Sequence, residues 1–157
     1  MRRFGVRALA GLEIGMAAGV LTQCWMLLGG WLAGFSPWSL SNLAAESFYG
    51  VRAASPAFGM PTLAGIALHL LTSAAAAIAL AVVVPERWSW PMALGASCLY
   101  ALAGQWALAE WVWKNYSPAL HSYAPALLIW TAALLFGFCL SFTPKVVRSF
   151  TRDFLVD

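Results

Sequence analysis

Charge is what this sequence has least of. Asp, Glu, Lys and Arg together make up 10% of its 157 residues, where an ordinary soluble domain carries about 25%. So few charged groups cannot cover a water-facing surface, and a net charge of +3 is too small and too dispersed to hold a nucleic acid. Histidine occurs only as His69 and His121. With no HxxxH, HExxH or ExxH spacing, zinc and di-metal centres lack a ligand set. The three cysteines, Cys24, Cys98 and Cys139, form no CxxC pair. That removes a dithiol oxidase, and each cysteine, set in an apolar run, reads as a small hydrophobe. Strand-like alternation, a glycine-rich phosphate loop and a GxSxG element are all missing. A chain without these sets is expected not to be an enzyme.

Long apolar runs are abundant instead. Hydrophobic residues make up 62% of the chain and mean hydropathy is +0.76. The stretch Pro61 to Val84 has 24 residues with no Asp, Glu, Lys or Arg and one ionisable group, His69. At ~1.5 Å per residue it reaches ~36 Å, enough to cross a ~30 Å hydrocarbon layer. Comparable runs lie at about 8–35, 91–113 and 119–142. The first could be taken for a signal peptide, since Arg2, Arg3 and Arg7 precede it. Its length and its Glu13, Gln23, Trp25 and Trp31 favour a retained helix. The fold class expected is all-α: one polytopic membrane domain, 1–157, with four transmembrane helices.

The connection between the first two runs holds SLSNLAAESFYG. Leu40, Leu43, Ala44 and Phe48 can share a stripe while Ser41, Asn42 and Glu46 face water. The pattern predicts a short amphipathic helix at about 39–49 lying on the membrane surface. The tail after the fourth run sets Lys145, Arg148 and Arg152 on one face and offers Val147, Phe150, Phe154 and Leu155 to the interface. Basic residues fix the orientation. With both termini in the cytoplasm, Arg2, Arg3, Arg7, Arg87, Lys145, Arg148 and Arg152 are inside, and only Arg52 and Lys114 are outside. The expected location is a bacterial inner membrane.

Small residues repeat at intervals of four in GLEIGMAAG, at Gly11, Gly15 and Gly19, and again at Gly30 and Gly34. Such faces let a neighbouring backbone approach closely, either within the bundle or on another chain. Placed by helix rise, Gln23, His69, Gln105, Glu110 and His121 all fall in the outer half of the layer, and Glu13 in the inner half beside Arg7. Glu110 and Lys114, four apart, suit a solvated ion pair. Ionisable groups within a membrane point to function first. His69 suits a hydrogen-bonded packing role with Thr72 and Ser73 nearby, or axial ligation of a haem or (bacterio)chlorophyll. In the second case Gln23 or Gln105 would be a further polar contact.

Three functions follow. The first is a non-catalytic accessory subunit of a larger respiratory or photosynthetic electron-transfer complex, packed against other integral membrane subunits, lipids and pigments. The second is a cofactor-holding subunit built on His69, and the third a small transporter or channel using Glu13, Gln23, His69 and Gln105.

Overall fold

The computed structural model describes residues 2–155, with side chains from 3 to 152, and within them every regular element is helical. The order is α1 (Arg2–Leu32), α2 (Ser39–Ala44), α3 (Glu46–Tyr49), a 3-10 turn (Gly50–Ala54), α4 (Met60–Val83), α5 (Trp90–Ala107), a π-helical segment (Leu108–Trp113), α6 (Lys114–Tyr116), α7 (Pro118–Tyr123), α8 (Ala126–Leu140) and α9 (Thr143–Leu155). Four helices are long and apolar enough to cross a membrane: α1, α4, α5 continued through the π segment, and α8 continued into α9. Their outer faces carry Leu9, Val20, Leu71, Leu99 and Leu127, all exposed, so the bundle is apolar on the outside as well as within.

Local chemistry sets the helix ends. The first helix stops at Leu32 because Gly34, at φ +85, lets the chain reverse. The Phe35 amide then reaches the Gly30 carbonyl and the Gly34 amide that of Trp31, each at 3.0 Å. Gly34 is therefore a terminating glycine and not part of a packing face, because nothing stands within 4 Å of where its Cβ would be. Pro61 sits in the first turn of α4 and Pro91 in that of α5, where the missing N–H costs little. The fourth crossing starts at Ala126 and not at Ala119. Pro125 holds Ala124 extended (ψ 129), which splits off α7 as a separate short helix.

The helices associate in the ring order α4, α1, α8, α5, each antiparallel to its neighbour. The α1–α4 contact is the closest and rests on glycine. A Cβ on Gly11 would meet the Ile78 backbone at 2.6 Å, and one on Gly15 would meet Ala74 Cα at 2.8 Å. Gly19 lies against Ser73. This glycine face is occupied by the chain's own α4. Trp25 ties α1 to α8 by donating its indole N–H to Thr131 Oγ1 at 3.0 Å, and Gly137 brings α8 onto the backbone of Cys98 in α5. The fourth seam of the ring is different. Helices α4 and α5 are joined by a short turn yet scarcely pack on each other.

Three apolar clusters hold this arrangement. Ile14, Ala77, Leu80 and Leu140 fill the middle of the bundle, and Ala10, Ala81 and Val147 fill the end near the termini. Val147 and Phe150 of the amphipathic α9 thus pack on α1 and α4, while Phe154 and Leu155 lie outside the described side chains. Arg7 closes the same end. Its guanidinium donates to the carbonyls of Val82 (2.6 Å) and Val84 (2.9 Å) at the end of α4 and stands 3.5 Å from Glu86. The expected partner Glu13 is exposed on the bundle surface instead. Terminal carbonyls of α4 have no partner within the helix, and a cation there satisfies them.

At the opposite end Leu40, Leu120 and Leu128 form the third cluster, with α2 and α7 folded over the bundle. Here the sequence reading of α2 inverts. Ser41 and Asn42 are buried, not turned to water. Asn42 Nδ2 donates to the carbonyls of Ser55 (2.6 Å) and Ala57 (3.0 Å), and its Oδ1 accepts from Thr62 Oγ1 at 2.5 Å. Glu46 is used similarly, since its Oε2 accepts from the Ala119 amide at 2.9 Å at the start of α7. Asn42 is wholly buried, so its amide would be left unpaired without these partners.

Candidate functional site

The open seam between α4 and α5 leads into a crevice of about 300 Å³ in the half of the bundle away from the termini. It lies between the central cluster and the α2–α7 end, and every long helix contributes to its wall. Thr72 of α4 and Gly104 and Val112 beside α5 line the crevice and are also exposed, as are Ser47 and Tyr116 at its outer end. Across the seam the Tyr100 hydroxyl donates to the Ala76 carbonyl at 2.9 Å, a single polar strut where the other helix pairs have packed side chains.

The crevice gathers three of the sequence candidates, Gln23, His69 and Gln105. It is lined mostly by apolar groups and by no Asp, Glu, Lys or Arg. His69 turns from α4 towards α1, where its Nε2 lies 3.2 Å from the Gly19 carbonyl and 3.0 Å from Thr22 Oγ1. With its hydrogen on Nε2 the ring donates to that carbonyl, and in the other tautomer Nε2 accepts from the Thr22 hydroxyl. Thr22 in turn gives its hydroxyl hydrogen to the carbonyls of Ala18 (2.9 Å) and Gly19 (3.1 Å) on its own helix. The imidazole is thereby held by α1, and not by Thr72 and Ser73 on its own helix; Thr72 bonds back to the carbonyls of Leu68 and His69. Axial ligation of a haem or chlorophyll needs a bare ring nitrogen. Nε2 offers one only in the tautomer that gives up the bond to Gly19.

Gln23 donates to Ser41 Oγ at 2.9 Å, which fastens α2 to α1 beside the crevice. Gln105 is different. Its Nε2 is buried and has no hydrogen-bond partner among the described residues. Leaving a buried amide unpaired costs about 1–3 kcal/mol, and a protein rarely tolerates this without a reason. Just beyond Gln105 the helix widens into the π-helical turn of Leu108–Trp113, and Leu108, Val112 and Trp113 from that turn line the crevice. Such turns are rare and concentrate at functional sites.

The remaining candidates lie apart. Glu110 and Lys114 stand 4.0 Å from each other, both substantially exposed. His121 is exposed on α7, and Glu13 is exposed on α1, away from the crevice. Among the described residues no three His, Cys, Asp or Glu side chains gather as a metal site. Gly30 meets Leu40 of α2 at ordinary contact distance. Sequence reasoning missed Thr22, Ser41, Asn42, Tyr100 and Gly104. Thr22 directly precedes Gln23 in an otherwise apolar run, a signal that was available, whereas nothing in the sequence marks the π turn.

The fold and crevice define a class, a bundle of four helices long and apolar enough to cross a membrane, with a largely apolar cleft between two of them. Comparison with protein-family models, with curated proteins and with solved structures finds no match for this chain.

Proposed function

We propose that this chain is a non-catalytic membrane protein that holds a lipid-soluble small molecule in the crevice between α4 and α5. The carrying observation is a crevice lined mostly by apolar groups, with the polar Gln23, His69 and Gln105 set among them and no charged side chain in its wall. A pocket of ~300 Å³ lies at the lower end of the range of small-molecule sites. An apolar lining with a few polar groups suits a ligand dissolved in the bilayer. The absence of charged lining residues argues against the transporter reading for ions, since an ion would meet no counter-charge there.

A second reading has its own support. Helix α5 is the least buried of the four crossings and is fixed to the bundle mainly along α8. A neighbouring integral membrane subunit covering α5 would complete the ring, which is how an accessory subunit of a larger complex, of the electron-transfer type or another, would use this chain. In either case the positive-inside count supports termini in the cytoplasm of a bacterial inner membrane, with α2 and α3 towards the outer interface.

The test is to extract the full chain gently from its native membrane and analyse what remains bound. A stoichiometric lipid-soluble small molecule that is lost in Gly104→Phe supports the ligand-holding role. Gly104 suits this use because a Cβ there meets nothing within 4 Å, so added bulk fills the mouth without disturbing the bundle. A folded wild-type protein free of small molecules, with stoichiometric larger chains attached, would favour the accessory reading.

A further inference from the structure

We infer that the basic face of α9 is a binding surface for the head groups of anionic phospholipids, at the end of the bundle that carries the termini. It is independent of what the crevice holds. Val146, Val147 and Phe150 pack on Ala10 and Ala81, and Thr143 and Pro144 are buried as well. The apolar face that a free amphipathic helix would bury in lipid is thus already covered by α1 and α4. At about 100° per residue, Lys145, Arg148 and Arg152 fall within about 60° of one another, on the side turned away from Val147. All of them are exposed, and among the described residues none has a carboxylate within ion-pair distance. The positive-inside tendency accounts for basic residues at this end in any arrangement. It does not account for their alignment on a single face.

Two of these cations are already oriented. Lys145 Nζ lies 5.6 Å from the centre of the Phe142 ring, and Arg148 Nε donates to the Pro144 carbonyl at 3.2 Å. Neither contact neutralises charge, so the ammonium and the other guanidinium N–H groups remain free for an anion. Depth decides which anion. Val147 packs on Ala81, just short of the end of α4 at Val83, so the row begins at the edge of the apolar spans. At ~1.5 Å per residue it is ~10 Å long. In a bilayer the sideways neighbours at that level are the phosphates of the head-group layer. A soluble acidic partner would meet the row only where α9 leaves the membrane, whereas a lipid reaches Lys145 and Arg148 from the side. Charge then selects among lipids. Arg3 and Arg87 at the same end are exposed, and Glu86 is taken by Arg7. A zwitterionic head group brings its own cation into that positive field and an anionic one does not.

The experiment uses the purified full chain in a non-ionic detergent. Phosphatidylglycerol and phosphatidylcholine with the same acyl chains are titrated together, and the lipid-bound species are counted by native mass spectrometry. The wild type is expected to bind phosphatidylglycerol at least about tenfold more tightly. The double variant Lys145→Gln/Arg148→Gln should lose about fivefold in that affinity for each basic group removed, with phosphatidylcholine binding unchanged. Its melting midpoint should stay near that of the wild type, because both side chains are exposed and neither is in an ion pair. Arg3→Gln/Arg87→Gln is the control, since it removes the same charge from the same end and leaves α9 intact. It should keep most of the preference. Lys145→Arg/Arg148→Lys retains the charges and should retain the binding even if the glutamine variant folds poorly. Equal losses in the α9 and control variants would reduce the effect to overall charge and overturn the assigned face. No preference for phosphatidylglycerol in the wild type overturns the inference outright. Displacement of the lipid by excess polyglutamate also overturns it, and gives the face to a soluble acidic partner.

Discussion

At the scale of single residues, burial and not polarity decides what each group does. Asn42 sits in a segment whose composition reads as a wet surface helix, yet it is wholly buried and makes three hydrogen bonds that pin the loop from Ser55 to Thr62. At roughly 1 kcal/mol per bond, Asn42→Ala is expected to cost about 3 kcal/mol. Asn42→Asp keeps the volume but sets a carboxylate against the carbonyls of Ser55 and Ala57, so it should destabilise at least as much. Asn115→Ala serves as the control, because that exposed side chain bonds only to Trp111 of its own helix and should change stability by less than ~0.5 kcal/mol. Thermal melts in mild detergent decide the matter: near-equal midpoints for the Asn42 and Asn115 variants would contradict the clamp. Gln105 gives the converse case, where removing a polar group should stabilise. Gln105→Leu relieves a buried amide without a partner, and a lower melting midpoint than the wild type would mean that the amide is satisfied within the protein.

At the scale of helices, glycine has two opposite meanings that spacing alone cannot separate. Gly15 and Gly104 both lie within apolar helices, but a Cβ on Gly15 would strike Ala74 and Ala77 while one on Gly104 meets open space. Gly15→Leu should force α1 from α4 and lose most folded protein, whereas Gly104→Leu should leave the melting midpoint unchanged or raise it, leucine being the better helix former by ~0.5–1 kcal/mol. Similar losses for both would show that the close α1–α4 approach is not what holds the bundle. The four-residue repeat did make Gly11, Gly15 and Gly19 visible from the sequence, because steric demand recurs with the helix period. Gly34 matched the same spacing and is a helix terminator, since conformation at a chain reversal leaves no periodic trace. The π turn was invisible for a related reason: the single extra residue it holds has no preferred identity. Deleting Ala109 should restore a plain α-turn while preserving the register of both flanks. The expected result is a protein that melts within a few degrees of the wild type but retains less bound ligand. Undiminished retention would mean that the widened turn does not shape the crevice.

At the scale of the whole molecule, the four crossings were legible because length and hydropathy are sums over many residues and survive local error. The ring order was not. It depends on which faces meet, and α4 and α5, adjacent in sequence and joined by a short turn, are the pair that stays apart. That one departure from neighbour packing creates the crevice, so the site followed from topology that no motif announces. His69 and Gln105 were individually conspicuous as polar groups in apolar runs, but the partners of His69, Gly19 and Thr22, could be named only once α1 lay against α4. The charge distribution carries the proposed orientation. Seven of the nine basic residues flank the end of the bundle that carries both termini, and Arg52 and Lys114 flank the other. A green fluorescent protein fused after Asp157 should therefore fluoresce in intact bacteria, and alkaline phosphatase fused at the same place should be inactive. The opposite pair of signals would invert the bundle and move the crevice to the cytoplasmic half of the membrane. With the expected pair, the crevice lies in the outer half of the membrane, where a charged molecule would find no counter-charge in its wall.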